Sequence, residues 1–516
     1  MSARGVVAAG HPLTAEAGAA VLREGGNAID AAVAAVLTSF VTESPLTGLG
    51  AGGFMLVHDA ERTELLDFFV VAPGRDGIER RAELHPAPVY FTDEVPQIFN
   101  VGAASCGVPG TPKGLEEAVR RFGSMPLSEL VRPAVRVARE GVVVNRLQAY
   151  LFKILEPILL LEEEGRGVYA PEGRPLREGE TFRFPALAEA LELYGAEGSA
   201  PFYEGELARR ICEWVQERGG AIGLADLAAY EVAVREPVHA RFRGRDVLTN
   251  APPSPGGVLI AFALELFERL GRSDLETTVA VMAQAQAARG ERFARELSVP
   301  GFAERFLDPA ALDEAAARAA ERRALGRGEP AGDALGSTTH IVAVDGEGRC
   351  ASVTCSNGSG SGVIVPGTGV HLNNMLGEED LNPLGFHQIG AGERLPSMMS
   401  PTVILRDGEF EAGVGSAGSN RIRSAIVQTI LRLVDDGLDA QAAIDAPRVH
   451  YERGELHAEP GVDAAALERI AGMGVRVERW RERNLFFGGV QAIARRADGE
   501  LAGGGDPRRG GAVAVA

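Results

Sequence analysis

The most constraining feature of this sequence is a pair of runs that alternate at period two, Thr339–Asp345 and Arg349–Ser356, joined by Gly346-Glu347-Gly348. Alternation puts successive side chains on opposite faces of a strand, and a short glycine-bearing turn closes two such strands into a hairpin. Upstream, Gly326-Arg327-Gly328-Glu329-Pro330-Ala331-Gly332-Asp333 ends an Ala-rich helical pattern and reads as an exposed linker. The linker delivers the chain to Gly336-Ser337-Thr338-Thr339-His340 at the mouth of the first strand. Hydroxyl residues before a strand are commonplace in turns. They also stand where an N-terminal nucleophile would stand if the preceding bond were cut. A threonine with a free α-amine, of pKa about 7.7 to 8.0, carries its own base near neutrality.

Composition narrows the classes. The chain has 516 residues, room for about three domains or one large enzyme with a deep core. At 45% hydrophobic and 24% charged residues it reads as globular. Asp and Glu number 71 against 52 Lys and Arg, a net charge of −19 that repels phosphate backbones and anionic lipid. Nucleic acid and membrane are therefore not expected partners. Cys106, Cys212, Cys350 and Cys355 fit neither a disulfide framework nor a CxxC metal spacing, and the nine histidines show no HxxxH pattern. The apolar stretch 28–41 carries Asp30 and is shorter than the ~20 residues of a bilayer span. It reads as a buried helix capped by Asn27. The following Gly48-Leu49-Gly50-Ala51-Gly52-Gly53-Phe54 lacks the Lys-Ser/Thr ending of a phosphate loop and precedes a strand at 55–58, so its glycines read as close packing. No basic and apolar leader follows Met1, and a cytoplasmic location is the expectation.

Apolar spacing predicts helices at 115–122, 127–140 and 310–324, the last with acids and bases alternating on a solvated face. The part before the linker reads as largely helical. Further strands are expected at 362–365, 402–405 and 410–413. Ile422, Ile426, Ile430 and Leu433 recur at helical spacing until Gly437, which places Gly418-Ser419 at a helix N-terminus, where free amides can hold an anion. No repeat of 20 to 50 residues is visible.

Several segments together resemble the γ-glutamyltransferase family: Thr338-Thr339-His340, Leu372-Asn373-Asn374, Pro396-Ser397-Met398-Met399-Ser400-Pro401, Gly415-Ser416-Ala417-Gly418-Ser419-Asn420-Arg421 and Asp445-Ala446-Pro447-Arg448. Upstream, Glu24-Gly25-Gly26-Asn27-Ala28-Ile29-Asp30-Ala31-Ala32 and the run 107–114 are similar to it too, in the same order, so the likeness spans nearly the whole chain. The resemblance implies an α+β fold, the four-layer αββα sandwich of N-terminal nucleophile hydrolases, in which the chain cuts itself between Ser337 and Thr338. Residues 1–337 and 338–516 would then form two subunits interwoven in one domain. Thr338 resembles the nucleophile. Thr354 resembles the threonine that hydrogen-bonds it, although its spacing equally suits a cross-strand β-former. Gly418 and Ser419 stand where the family has an oxyanion-holding Gly-Gly pair.

The departures concern the substrate. The family's carboxylate-clamping Arg before Ala-Pro is Phe69 here, within Asp67-Phe68-Phe69-Val70-Val71-Ala72-Pro73. Arg75 or another base would have to substitute for it, or the acyl group differs. Ser397-Met398 replaces a Ser-Ser pair, Asn357 matches a substrate-binding Asn only with one residue deleted, and the binding acid falls on Glu378 within Gly377-Glu378-Glu379-Asp380, which also reads as a solvated acidic loop. The resemblance therefore implies an amidohydrolase or acyltransferase for γ-glutamyl amides such as glutathione, acting through an acyl-enzyme on Thr338 with water or an amine as acceptor. The alternatives are an acylase for a non-glutamyl acyl amide, which Phe69 and Met398 favour, and an unprocessed peptide-binding relative. No cofactor or metal is implied, since a hydroxyl nucleophile needs none.

Overall fold

Strands from distant parts of the chain lie side by side. The computed structural model describes residues 4–90, 96–321, 325 and 338–516. A seven-stranded sheet runs in space Ala512–Val515, Gly5–Ala9, Thr339–Asp345, Cys350–Ser356, Gly52–His58, Thr63–Phe68, Ala233–Arg235. A six-stranded sheet runs Leu501–Gly505, Gly489–Arg495, Glu409–Ala417, Thr402–Arg406, Arg245–Thr249, Val238–Phe242. Neighbouring strands in both are antiparallel. Gly5–Ala9 is held between Thr339–Asp345 and Ala512–Val515, so residues before 337 and after 338 interleave within one sheet.

Both hairpin strands are buried at every position. Their alternation separates two apolar surfaces rather than core from solvent. Ile341, Ala343, Ala351 and Val353 join the cluster built on helix Ala28–Thr42, whereas Val342, Val344 and Cys350 pack with Val403, Ala412 and Val414 of the other sheet. The sheets therefore face each other. Helix Ala28–Thr42 covers the far side of the first, and helices Pro255–Leu270 and Arg421–Val434 pack on the second. Asn27 caps helix Ala28–Thr42 through the amides of Ile29 and Asp30, and the Asp30 carboxylate returns a bond to the Asn27 amide. Such a capping box contributes about 1 kcal/mol. The glycine run behind it permits close packing: a Cβ at Gly50 would strike the His371 carbonyl and one at Gly53 the Thr354 carbonyl.

Some expected elements change. The helix at 127–140 divides into Leu127–Leu130 and Arg132–Glu140 with Pro133 in the first turn of the second, where its missing N–H costs least. Helix Pro309–Ala320 is not wholly a solvated face, since Leu312, Ala315, Ala316 and Ala319 are buried against helices Pro255–Leu270 and Leu275–Ala287. The region before the linker is rich in helices, yet it also supplies six strands of the two sheets. The strand at 362–365 shrinks to Ile364–Val365, and the one at 410–413 extends to Glu409–Ala417. Residues 322–324, the linker 326–333 and Ser337 lie outside the described residues. Among the described residues the four cysteines are free and buried, no group of His, Cys, Asp and Glu could hold a metal ion, and no helix is long and apolar enough to cross a membrane.

Candidate active site around Thr338

Facing sheets place Thr338, at the head of strand Thr339–Asp345 in one, opposite the end of strand Glu409–Ala417 in the other. A cleft forms there, its lining made of the polar Thr338, Ser356, Glu378, Asp380, Ser397 and Ser419 together with the apolar Phe69, Met375, Leu381, Met398, Met399 and Ile422.

The hairpin register decides which hydroxyl meets Thr338. Thr339 pairs with Cys355 and His340 with Thr354, so Thr338 falls opposite Ser356. The Thr338 hydroxyl donates to Ser356 Oγ at 3.3 Å, and Ser356 Oγ also accepts the Gly358 amide at 2.9 Å. Thr354 is a correction to the expectation: its hydroxyl pairs with His340 Nδ1 at 2.8 Å, two residues further along the strand. His340 is gripped on its other nitrogen by Ser352, and burial pushes its pKa down to about 3, so it is neutral near pH 7. If the Ser356 contact serves the nucleophile, Ser356→Ala should lower turnover about tenfold, the equivalent of one hydrogen bond of roughly 1.4 kcal/mol, while Thr354→Ala at constant stability should change it less. Steady-state kinetics on the two variants, with melting curves alongside, make the comparison.

Gly418 and Ser419 stand at the entrance of helix Arg421–Val434, both in left-handed backbone, at φ +122 and +50. A non-glycine residue there costs about 1 to 2 kcal/mol. Asp380 offsets this by accepting the Ser419 hydroxyl and the Asn420 side-chain amide, the latter at 2.9 Å. Ser419 lines the cleft, and first-turn amides at this end suit a developing oxyanion.

Glu378 is not a solvated acid. It is buried, accepts the Asn374 side-chain amide at 2.9 Å, and burial, reinforced by the Asp380 charge, raises its pKa to about 7. A carboxyl whose folded pKa exceeds its unfolded one contributes stability that is fully present below the unfolded value and is lost as pH rises through about 7. Glu378→Gln should flatten the fall in melting temperature between about pH 4.5 and 7, and an unchanged slope would refute this.

Ser397 reaches the cleft, with its Oγ accepting the Met399 amide at 3.1 Å. Asn357 does not. Its side chain lies against Gly48, and neither its amide nitrogen nor its oxygen has a hydrogen-bond partner among the described residues. Phe69 is fully buried, stacked on Phe54 at 5.3 Å between ring centroids. Arg75 is no substitute for the family's Arg, being exposed and packed beside Gly392. Arg394 reaches the Phe69 backbone, but its guanidinium is committed to the Phe69 carbonyl at 2.7 Å and the Tyr230 hydroxyl at 2.9 Å. Among the described residues no Arg or Lys lines the cleft. Ser356, Asp380 and Met375 were not anticipated as cleft residues. Counting the hairpin register outward from its turn would have found Ser356; nothing local marks the other two.

Residues 14–516 match the family model described as gamma-glutamyltranspeptidase. The chain is 33% identical over 519 residues to the acylase ACY 1 proenzyme of Pseudomonas sp. (strain SE83), covering 97% of this chain and 91% of that protein. It is 29% identical over 542 residues to the glutathione hydrolase proenzyme of Bacillus subtilis (strain 168), covering 99% and 91%. Among solved structures, cephalosporin acylase from Bacillus halodurans matches with a TM-score of 0.84 at 27% identity, over 99% of this chain and 96% of that one. With the family model spanning all but the first residues, and a threonine at the head of an interior strand beside a helix-terminus turn, the chain belongs to the γ-glutamyltranspeptidase family.

Proposed function

We propose that this chain is a self-processing threonine acylase of αββα layering, acting on small amides whose acyl group is largely apolar. The observation that carries the reading is the cleft beside Thr338: six apolar side chains and two carboxylates line it, and no described cation does. An acyl group bearing a carboxylate would meet Glu378 and Asp380 with no guanidinium to neutralise it.

The chemistry follows from the positions of the groups. In maturation, Thr338 Oγ attacks the Ser337 carbonyl, the C–N bond breaks, the nitrogen takes the proton that Oγ gave up, and water hydrolyses the resulting ester. Two chains result, 1–337 and 338–516, with Thr338 now carrying a free amine. In turnover that amine accepts the Oγ proton as Oγ attacks the substrate amide. The Gly418 and Ser419 amides hold the oxyanion, and the proton passes to the departing amine. Water or a second amine then takes the acyl group from Thr338. Ser356 orients Oγ, and Phe69, Met375 and Met398 receive the acyl chain.

A second reading, γ-glutamyl amides as donors, is favoured by one observation: Glu378 and Asp380 both line the cleft, and acids suit an α-ammonium group. Acyl anilides varied from aliphatic to γ-glutamyl, measured by kcat/KM on the processed protein, separate the two. The apolar reading expects aliphatic donors to lead, and a strong preference for the γ-glutamyl donor overturns it.

A further inference from the structure

A second cavity touches the nucleophile. Among the described residues it shares only Thr338 with the acyl cleft, and its polar lining includes Glu43, Thr339, His11, His340 and Arg509. Glu43 sits at the C-terminal cap of helix Ala28–Thr42, the end where a negative charge opposes the helix dipole. A local preference broken in this way marks a residue kept for what it meets in the fold. Its Oε2 accepts the Thr339 hydroxyl at 2.7 Å, whereas its Oε1 is enclosed and has no hydrogen-bond partner among the described residues. Gly10 makes room for it, since a Cβ there would collide with the carboxylate. Burial raises the Glu43 pKa to about 7, against the Thr339 bond and the Arg509 charge. Among the described residues Glu43 is therefore an acid with one oxygen unsatisfied, bonded to the residue that directly follows Thr338. Cutting the bond between Ser337 and Thr338 would create a basic amine on the backbone nitrogen of Thr338, immediately upstream of the hydroxyl that Glu43 already grips.

We propose that Glu43 is a positioning residue for this amine, its free Oε1 accepting a hydrogen bond from the Thr338 nitrogen and holding that base beside Oγ. The inference rests on the self-processing reading above. Glu43 undergoes no net proton change: the amine takes the Oγ proton and returns it to the leaving group, while the carboxylate favours the ammonium form and so raises the amine's pKa. Arg509, on the same cavity, acts in the opposite direction. His11 and His340, pushed by burial to about 4 and 3, stay neutral across the relevant range.

The test uses the full chain carrying Glu43→Gln, which keeps the shape and the bond to Thr339 but not the charge. The variant should still cut itself, and the acidic limb of its kcat/KM profile should move to lower pH by about one unit. The pH dependence of reductive methylation at the Thr338 amine, read by mass spectrometry, should shift equally. Glu43→Asp, which retains the charge, should keep the limb near that of the wild type. Overturning results are a limb that stays in place while the rate falls at every pH, a folded Glu43→Gln chain that remains uncut, or a Glu43→Asp limb as low as that of Glu43→Gln. A wild-type chain that never cuts itself would instead remove the self-processing reading.

Discussion

Thr338→Ala should remain a single uncut chain and lose amidase activity by a factor on the order of 10⁴ to 10⁶, the range spanned by removing single members of a hydrolase's catalytic set. The proposal has one hydroxyl perform both attacks, so it requires the two losses to come together. The side chain is small and sits at a strand end beside a cavity, so the fold should tolerate the change, and melting curves can verify this. Thr338→Ser should still cut itself, more slowly, because it retains the oxygen but loses the methyl that restricts χ1. Intact-mass analysis over days, paired with an amidase assay, reads both. Cleavage at 337/338 or full turnover in Thr338→Ala would refute the assignment of the nucleophile.

Phe69→Arg should move two activities in opposite directions. For aliphatic-acyl anilides it removes the Phe54–Phe69 stack, inserts a cation into the apolar wall and should lower kcat/KM by about tenfold or more. For γ-glutamyl anilides the same guanidinium supplies the missing carboxylate partner. A charge-assisted pair of about 1.5 to 3 kcal/mol would lower KM roughly 10- to 150-fold. Glu378 and Asp380 compete for the new cation, which puts the gain toward the lower end of that range. Losses of equal size for both donors would show that Phe69 packs the core without selecting the acyl group.

What the sequence by itself determined is what short-range pattern can carry. Period-two alternation located the hairpin, helical spacing from Ile422 located the helix with Gly418-Ser419 at its head, and the motif order placed Thr338 directly before the first hairpin strand. The tertiary structure decided which groups meet. Thr354 and Ser356 lie on the same face two residues apart, so periodicity alone could not choose between them; the pairing register, which the turn length already implies, sets Thr338 against Ser356. Asn357, one residue on, turned its side chain toward Gly48. Asp380 came to Ser419 across 39 residues and Glu43 to Thr339 across 296, separations over which no local pattern carries information. Those meetings depend on how two sheets stack and how a helix end abuts a strand, and sheet packing is set by the summed burial of side chains drawn from the whole chain.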